Sequence, residues 1–158
     1  MRLPVNFKDP AIWLATWFGC GLMRPAPGTW GTLGGLPVGV LIYATGGWMA
    51  LAAAVIAVCA AGYWAAGRFE EQAGEHDSGA IVIDEVAGVW IALIPAGLSI
   101  PYVVAAFLLF RFFDILKPWP VSWADKKLPG ALGVMADDII AGIFAALMIA
   151  GARYAGFD

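Results

Sequence analysis

The sequence predicts an all-α fold, a compact membrane-embedded bundle of about six helices with short hairpin arms and a polar cytoplasmic rim. Three observations predict it. Hydrophobic residues make up 61% of the 158-residue chain and charged ones 13%, roughly half the charge of about 25% usual in soluble domains, and the mean hydropathy is +0.80. Residues 33–66 carry no charged side chain at all. The cations cluster in the polar segments between apolar runs. A very apolar soluble bundle is the alternative. The length suits a single domain over residues 1–158. The balance of 9 Lys+Arg against 12 Asp+Glu, a net charge of -3, argues against a nucleic-acid partner.

Residues 11–22 form a short apolar element. The next stretch, Arg24-Pro25-Ala26-Pro27-Gly28-Thr29-Trp30-Gly31-Thr32, is expected to interrupt helix because of its prolines and glycines. Gly46-Gly47 then divides the uncharged run into arms 33–45 and 48–66. At 1.5 Å per residue these reach about 20 and 28 Å, against a hydrocarbon core of about 30 Å. The polar stretch 68–78 reads as a helix end plus loop, with His76 solvated between Glu75 and Asp77. Pro95, Gly97 and Pro101 break the apolar run 81–113 into arms 84–96 and 101–113, too short to span singly and suited to a hairpin dipping into a bilayer. Pro118, Pro120 and Pro129 make 117–133 an irregular polar loop, with a short helix over 121–127. The last apolar helix is expected over 139–152, directly after Asp137-Asp138.

Folding these hairpins puts 24–32, 68–84 and 111–138 on one side, with Arg24, Arg68, Arg111, Lys117, Lys126 and Lys127. The positive-inside rule makes that side cytoplasmic. Arg2, Lys8 and Arg153 fit either side. Residues 84–93 and 138–147 also repeat the pattern D-x-[VI]-A-G-[VI]-[WF]-x-A-L. Each copy has an acid at its start and an Ala-Gly pair three and four residues on, small enough to let two helices approach closely. Chance similarity between apolar helices is the competing explanation.

Five acids border or enter the apolar helices: Asp84, Glu85, Asp114, Asp137 and Asp138. Ionisable groups there are costly and tend to be paired or functional. Helix capping accounts for any one of them, but less readily for five on one side. Cys20 and Cys59 are not in C-x-x-C spacing and His76 is the single histidine, so a metal would rest on oxygen ligands. That favours a hard cation, Mg²⁺ before Zn²⁺. Asp84, Glu85, Asp114, Asp137 and Asp138 are the candidate ligands. Arg111 and Lys117 stand three residues either side of Asp114 and are candidates to meet phosphate oxygens. Gly28, Thr29, Gly31 and Thr32 open a predicted helix, where free N–H groups bind anions. This is a weak signal, since a Gly-rich membrane turn has the same composition and the P-loop lysine is missing.

Four motifs together resemble the phosphatidylglycerophosphatase A family over about residues 14–147. They are Pro27-Gly28-Thr29-Trp30-Gly31-Thr32-Leu33, Ile83-Asp84-Glu85-Val86-Ala87-Gly88, Phe110-Arg111-Phe112-Phe113-Asp114-Ile115-Leu116-Lys117-Pro118-Trp119-Pro120, and Gly133-Val134-Met135-Ala136-Asp137-Asp138-Ile139-Ile140-Ala141-Gly142. The resemblance implies an all-helical, multi-pass, Mg²⁺-dependent phosphatase of the bacterial inner membrane. Its substrate would be a phospholipid in the bilayer, the terminal phosphate monoester of phosphatidylglycerophosphate, released to give phosphatidylglycerol. Other phosphatase chemistries lack their residues: no C-x₅-R follows either cysteine, one histidine is too few for a histidine nucleophile, and no D-x-D occurs. The residue reading makes Asp84, Glu85, Asp114, Asp138 and Lys117 the catalytic set. Arg24, Gly28, Thr29, Gly31, Thr32 and Arg111 would bind substrate from the cytoplasmic side. A lipid-headgroup phosphotransferase and a small ion transporter or channel subunit with intramembrane carboxylates remain the alternatives.

Overall fold

A computed structural model describes residues 4–74, 76 and 78–157. Arg2, Glu75 and Asp77 lie outside the described residues. Every regular element among them is helical: α1 (Pro10–Ala15), a 3₁₀ turn (Cys20–Leu22), α2 (Pro27–Ala73), α3 (Ile83–Ala96), α4 (Ile100–Leu116), α5 (Val121–Lys127) and α6 (Gly130–Tyr154). Two of them, α2 and α6, are long and apolar enough to cross a membrane.

Helix α2 is two helices joined at Gly47, whose backbone (φ 71°, ψ -170°) leaves the helical region. That conformation suits glycine, which has no Cβ to clash. The chain folds back there: Gly31 lies against Val82 and Gly62 against Ile83, so both arms run beside the start of α3. The first arm, 27–46, is about 30 Å long. It is longer than the sequence suggested, because Pro27 does not interrupt helix but opens it. At the first helical position proline loses no hydrogen bond and its fixed φ favours the turn.

Helices α3 and α4 form the expected hairpin, turning at Gly97 (φ 63°). Helix α6 begins at Gly130, nine residues before the expected start at Ile139. Asp137 and Asp138 therefore sit inside the helix rather than at its N-terminus. Capping cannot explain them.

Helix α3 is the centre of the bundle and packs most extensively against α2 and α6. Two glycine contacts make this possible. On α2, Gly31, Gly35 and Gly39 recur every four residues and receive Val82, Val86 and the Trp90 ring in turn, while the Trp90 indole N–H donates to the Gly35 carbonyl at 2.8 Å. On α6, a Cβ built on Gly142 would stand 2.4 Å from the Gly88 carbonyl oxygen and 2.9 Å from its Cα. The two D-x-x-A-G repeats are thus two helices packed in parallel through their glycines, both starting at the same end of the bundle. Gly142→Ala must push backbone from backbone, an overpacking that costs about 1–3 kcal/mol. Thermal unfolding in detergent should show a midpoint several degrees lower; an unchanged midpoint would mean that the helices part freely.

The end where α3 and α6 begin also holds Lys8, Arg24, Arg68, Arg111, Lys117, Lys126 and Lys127. Lys8 joins it because the Asn6 amide donates to Gln72 and Asp9 accepts from Gln72 and Arg68. Arg153 is at the opposite end, donating to the Pro95 carbonyl at 2.8 Å and lying over the Tyr102 ring.

Candidate active site

The parallel packing of α3 and α6 determines the geometry of the acids. Asp84 and Glu85 occupy the first turn of α3, and Asp138 faces them from α6. One carboxylate oxygen from each of Asp84, Glu85 and Asp138 lies within 4.8 Å of the others. Asp84 is 8% exposed and Asp138 3%. Asp114, on the last turn of α4, reaches the same cluster, where its charge acts on Glu85 and Asp138. Three of the five predicted ligands therefore meet at chelating separation and Asp114 stands at their edge, the four coming from three helices.

Asp137 is different. Successive residues on a helix point about 100° apart, and Asp137 turns toward α5, where it accepts from the Lys117 ammonium at 2.7 Å. Its other oxygen, Oδ1, is buried and has no hydrogen-bond partner among the described residues. Lys117 caps α4 in a left-handed conformation (φ 44°) and also donates to Asp125. Asp125 was not among the predicted residues; in sequence it is one acid in a polar loop, with no spacing to tie it to Lys117. Burial alone would lower the Lys117 pKa. The hydrogen bonds to Asp125 and Asp137 outweigh it and hold the ammonium above its ordinary value, so it stays charged.

Arg111 projects beside this cluster. Its guanidinium pairs with Asp114 and lies 3.7 Å from Glu85, and its Nε is buried without a partner among the described residues. Gly28 closes the other side: a Cβ there would be 2.1 Å from Glu85 Oε1 and 3.0 Å from Arg111 Nη1. Thr29 follows in the same first turn of α2. The remaining predicted phosphate contacts are placed elsewhere. Gly31 faces Val82. Thr32 is fully buried, and its hydroxyl donates to the Gly28 carbonyl at 2.7 Å. The glycine-rich stretch is thus helix whose inner face receives α3, and only its first turn borders the acids. Arg24 is exposed at the same end, without an ion pair among the described residues. His76 is half exposed and pairs with Glu70 at 2.5 Å.

The electrostatics favour a cation. Helix α3 is too short to cross a bilayer, and its two acids stand at its open end. Burial first, then the charges of Glu85 and Asp138, push the Asp84 carboxyl well above the usual carboxylate range. Burial likewise raises Glu85 to about 7, against the lowering hydrogen bond with Asp84. Glu85 Oε2 is also buried and has no partner among the described residues. Unpaired buried carboxylates are costly, several kcal/mol each in real proteins, so this cluster calls for protons or a positive ion. Its donors are all oxygens at chelating separation, which suits a hard divalent ion of the Mg²⁺ type. The residues present fit such a group.

Comparisons with known proteins show the family. A family model described as "PgpA: Phosphatidylglycerophosphatase A" matches residues 13–153. The chain is 41% identical over 153 residues to a phosphatidylglycerophosphatase A of Haemophilus influenzae, covering 95% of this chain and 93% of that protein. It is 35% identical over 147 residues to a phosphatidylglycerophosphatase A of Escherichia coli, covering 90% and 83%. A "putative phosphatidylinositol-3-phosphatase" of Bacteroides thetaiotaomicron is 40% identical over 154 residues, covering 90% and 93%. No solved structure matches. A family match across nearly the whole chain, including every helix that carries an acid of the cluster, shows that the chain belongs to the phosphatidylglycerophosphatase A family.

Proposed function

We propose that this chain hydrolyses the terminal phosphate monoester of phosphatidylglycerophosphate, giving phosphatidylglycerol and inorganic phosphate in phospholipid biosynthesis. The observation that carries the reading is the meeting of Asp84, Glu85 and Asp138 within 4.8 Å, with Arg111 beside Glu85 and Lys117 on the neighbouring Asp137. It combines a cation-binding carboxylate cluster with anion-binding side chains at one end of an apolar bundle. Phosphoryl transfer needs that combination: the developing charge on the phosphate must be neutralised, and the reacting groups must be held in place.

Asp84, Glu85 and Asp138 would hold Mg²⁺, with Asp114 at their edge. When bound, Mg²⁺ supplies charge neutralisation on the phosphate oxygens and makes nearby water more acidic. Arg111 offers its planar fork to two phosphate oxygens, and Gly28 leaves room for that fork because it has no side chain. Lys117, kept charged between Asp125 and Asp137, presents a second cation at the rim. A carboxylate of the cluster takes the proton from the attacking water. Arg24, exposed at the same end, meets the headgroup on approach. The acyl chains stay in the bilayer.

The setting proposed is the bacterial inner membrane, with the site facing the cytoplasm. Seven of the eight described Lys and Arg residues are at the acid end and only Arg153 is opposite, which the positive-inside rule assigns to the cytoplasm.

The test is phosphate release by the detergent-solubilised protein from phosphatidylglycerophosphate, in water with no added alcohol acceptor. Release that requires Mg²⁺ and stops with EDTA is the expected result. Release only with an alcohol acceptor would make the chain a phosphotransferase, and no release under any divalent ion would end the reading. A phosphatidylinositol 3-phosphate arm is included because one relative carries that name.

A further inference from the structure

The connection from α4 to α6 carries a surface that the phosphatase reading does not use. Helix α5 is two turns long. Val121 and Ala124 are buried on the side that packs against α6. On the opposite side Trp123, Lys126 and Lys127 are exposed, and neither lysine has an ion-pair partner among the described residues. Trp119, just before the helix, is 79% exposed. Phe112, Ile115 and Leu116, on the last turns of α4, are exposed as well. These five apolar side chains follow one another in the chain from the last turns of α4 into α5, and the two lysines end the series.

Water is a poor solvent for large apolar side chains exposed in such succession, and exposed apolar surface rimmed by charge marks a docking site. The order of the residues identifies what covers it. Phenylalanine, isoleucine and leucine on the α4 side suit the hydrocarbon boundary. The two tryptophans suit the interfacial layer, where an amphipathic ring finds both environments. The unpaired lysines suit negative charge just beyond it. The local balance supports this, because Asp125, the one acid of α5, is turned inward and engaged by Lys117.

We propose that α5 and the turn before it form a docking surface for a membrane leaflet rich in anionic phospholipid headgroups. Trp119 and Trp123 seat it in the interfacial layer, and Lys126 and Lys127 contact the headgroups. Docking fixes the segment that holds both Lys117 and Asp125, so the lipid composition around the protein bears on one wall of the acid cluster.

The experiment is amide hydrogen exchange of residues 118–128 in the full chain, reconstituted in lipid nanodiscs. One set of discs is phosphatidylcholine alone and the other contains a third phosphatidylserine. Exchange should be slower in the anionic discs, by about fivefold for each lysine engaged, and added salt should remove the difference. The double variant Lys126→Gln/Lys127→Gln changes only exposed residues and should exchange alike in both discs, with protection of α3 and α6 unchanged. Equal exchange of the unaltered chain in the two discs would overturn the proposal. So would protection that follows the number of protein copies per disc rather than lipid charge, which would assign the surface to a second copy of the chain. Because the readout is exchange and not phosphate release, it is independent of the phosphatase assay.

Discussion

Asp138→Asn is expected to reduce phosphate release by about 10³-fold, the scale of removing one electrostatic element from a preorganised site, without loss of the helical fold. The substitution keeps the shape of the side chain and removes its charge. Asp138 is 3% exposed and faces Asp84 and Glu85 across the α3–α6 contact, so losing its charge removes one grip on a divalent ion. It also removes repulsion among buried acids. Without Mg²⁺ the variant should therefore unfold at the same temperature as the unaltered chain or higher. In the unaltered chain Mg²⁺ should raise the midpoint, because an ion that binds only the folded form stabilises it by mass action; in the variant that rise should vanish. Asp84→Asn, at the equivalent place in the repeat, should behave the same way. Asp137→Asn is the control: its carboxylate is engaged by Lys117, so activity should fall less and the Mg²⁺-dependent rise should persist. Equal Mg²⁺ responses in the Asp137 and Asp138 variants would mean that the two neighbours do not have the different roles their directions indicate.

The contrast between these two neighbours shows where sequence reading reaches its limit. Spacing alone showed that Asp84 and Asp138 occupy equal places in a repeat, and the glycines four residues on gave the physical reason for close approach. The α3–α4 hairpin and the span of α5 were legible too, because prolines and glycines punctuate them. The start of α6 was not. Asp137-Asp138 looks like a helix start when buried charge is counted as a cost. A site that uses the charge places it within the helix instead. Gly31 and Thr32 misled in a similar way. Glycines that admit a phosphate and glycines that admit a valine look identical in sequence, and only the neighbour across the contact tells them apart. Asp125 gave no sign, since its value depends on how the chain folds back at Pro118 and Pro120 to bring it to Lys117.

Gly28→Ala separates these two uses of glycine. At Gly142 the obstacle to a methyl group is backbone, so the cost appears as lost stability. At Gly28 the obstacles are the ends of two side chains: Glu85 Oε1 at 2.1 Å and the Arg111 guanidinium at 3.0 and 3.2 Å. Side-chain ends can move aside, and alanine is the better helix former by up to about 1 kcal/mol. Stability should therefore hold or rise slightly. The site should not survive as well. Glu85 must shift by about 1 Å and Arg111 by only a few tenths of an ångström, and a displacement of about 1 Å at a reacting group costs about 10²-fold. The expected result is phosphate release about 10²-fold lower at an unchanged unfolding midpoint. Gly31→Ala, three residues on, meets Val82 Cβ at 2.4 Å and should lose stability first. If Gly28→Ala kept full activity, the first turn of α2 would not border the reacting phosphate, and Arg111 would have to hold it from the α4 side alone.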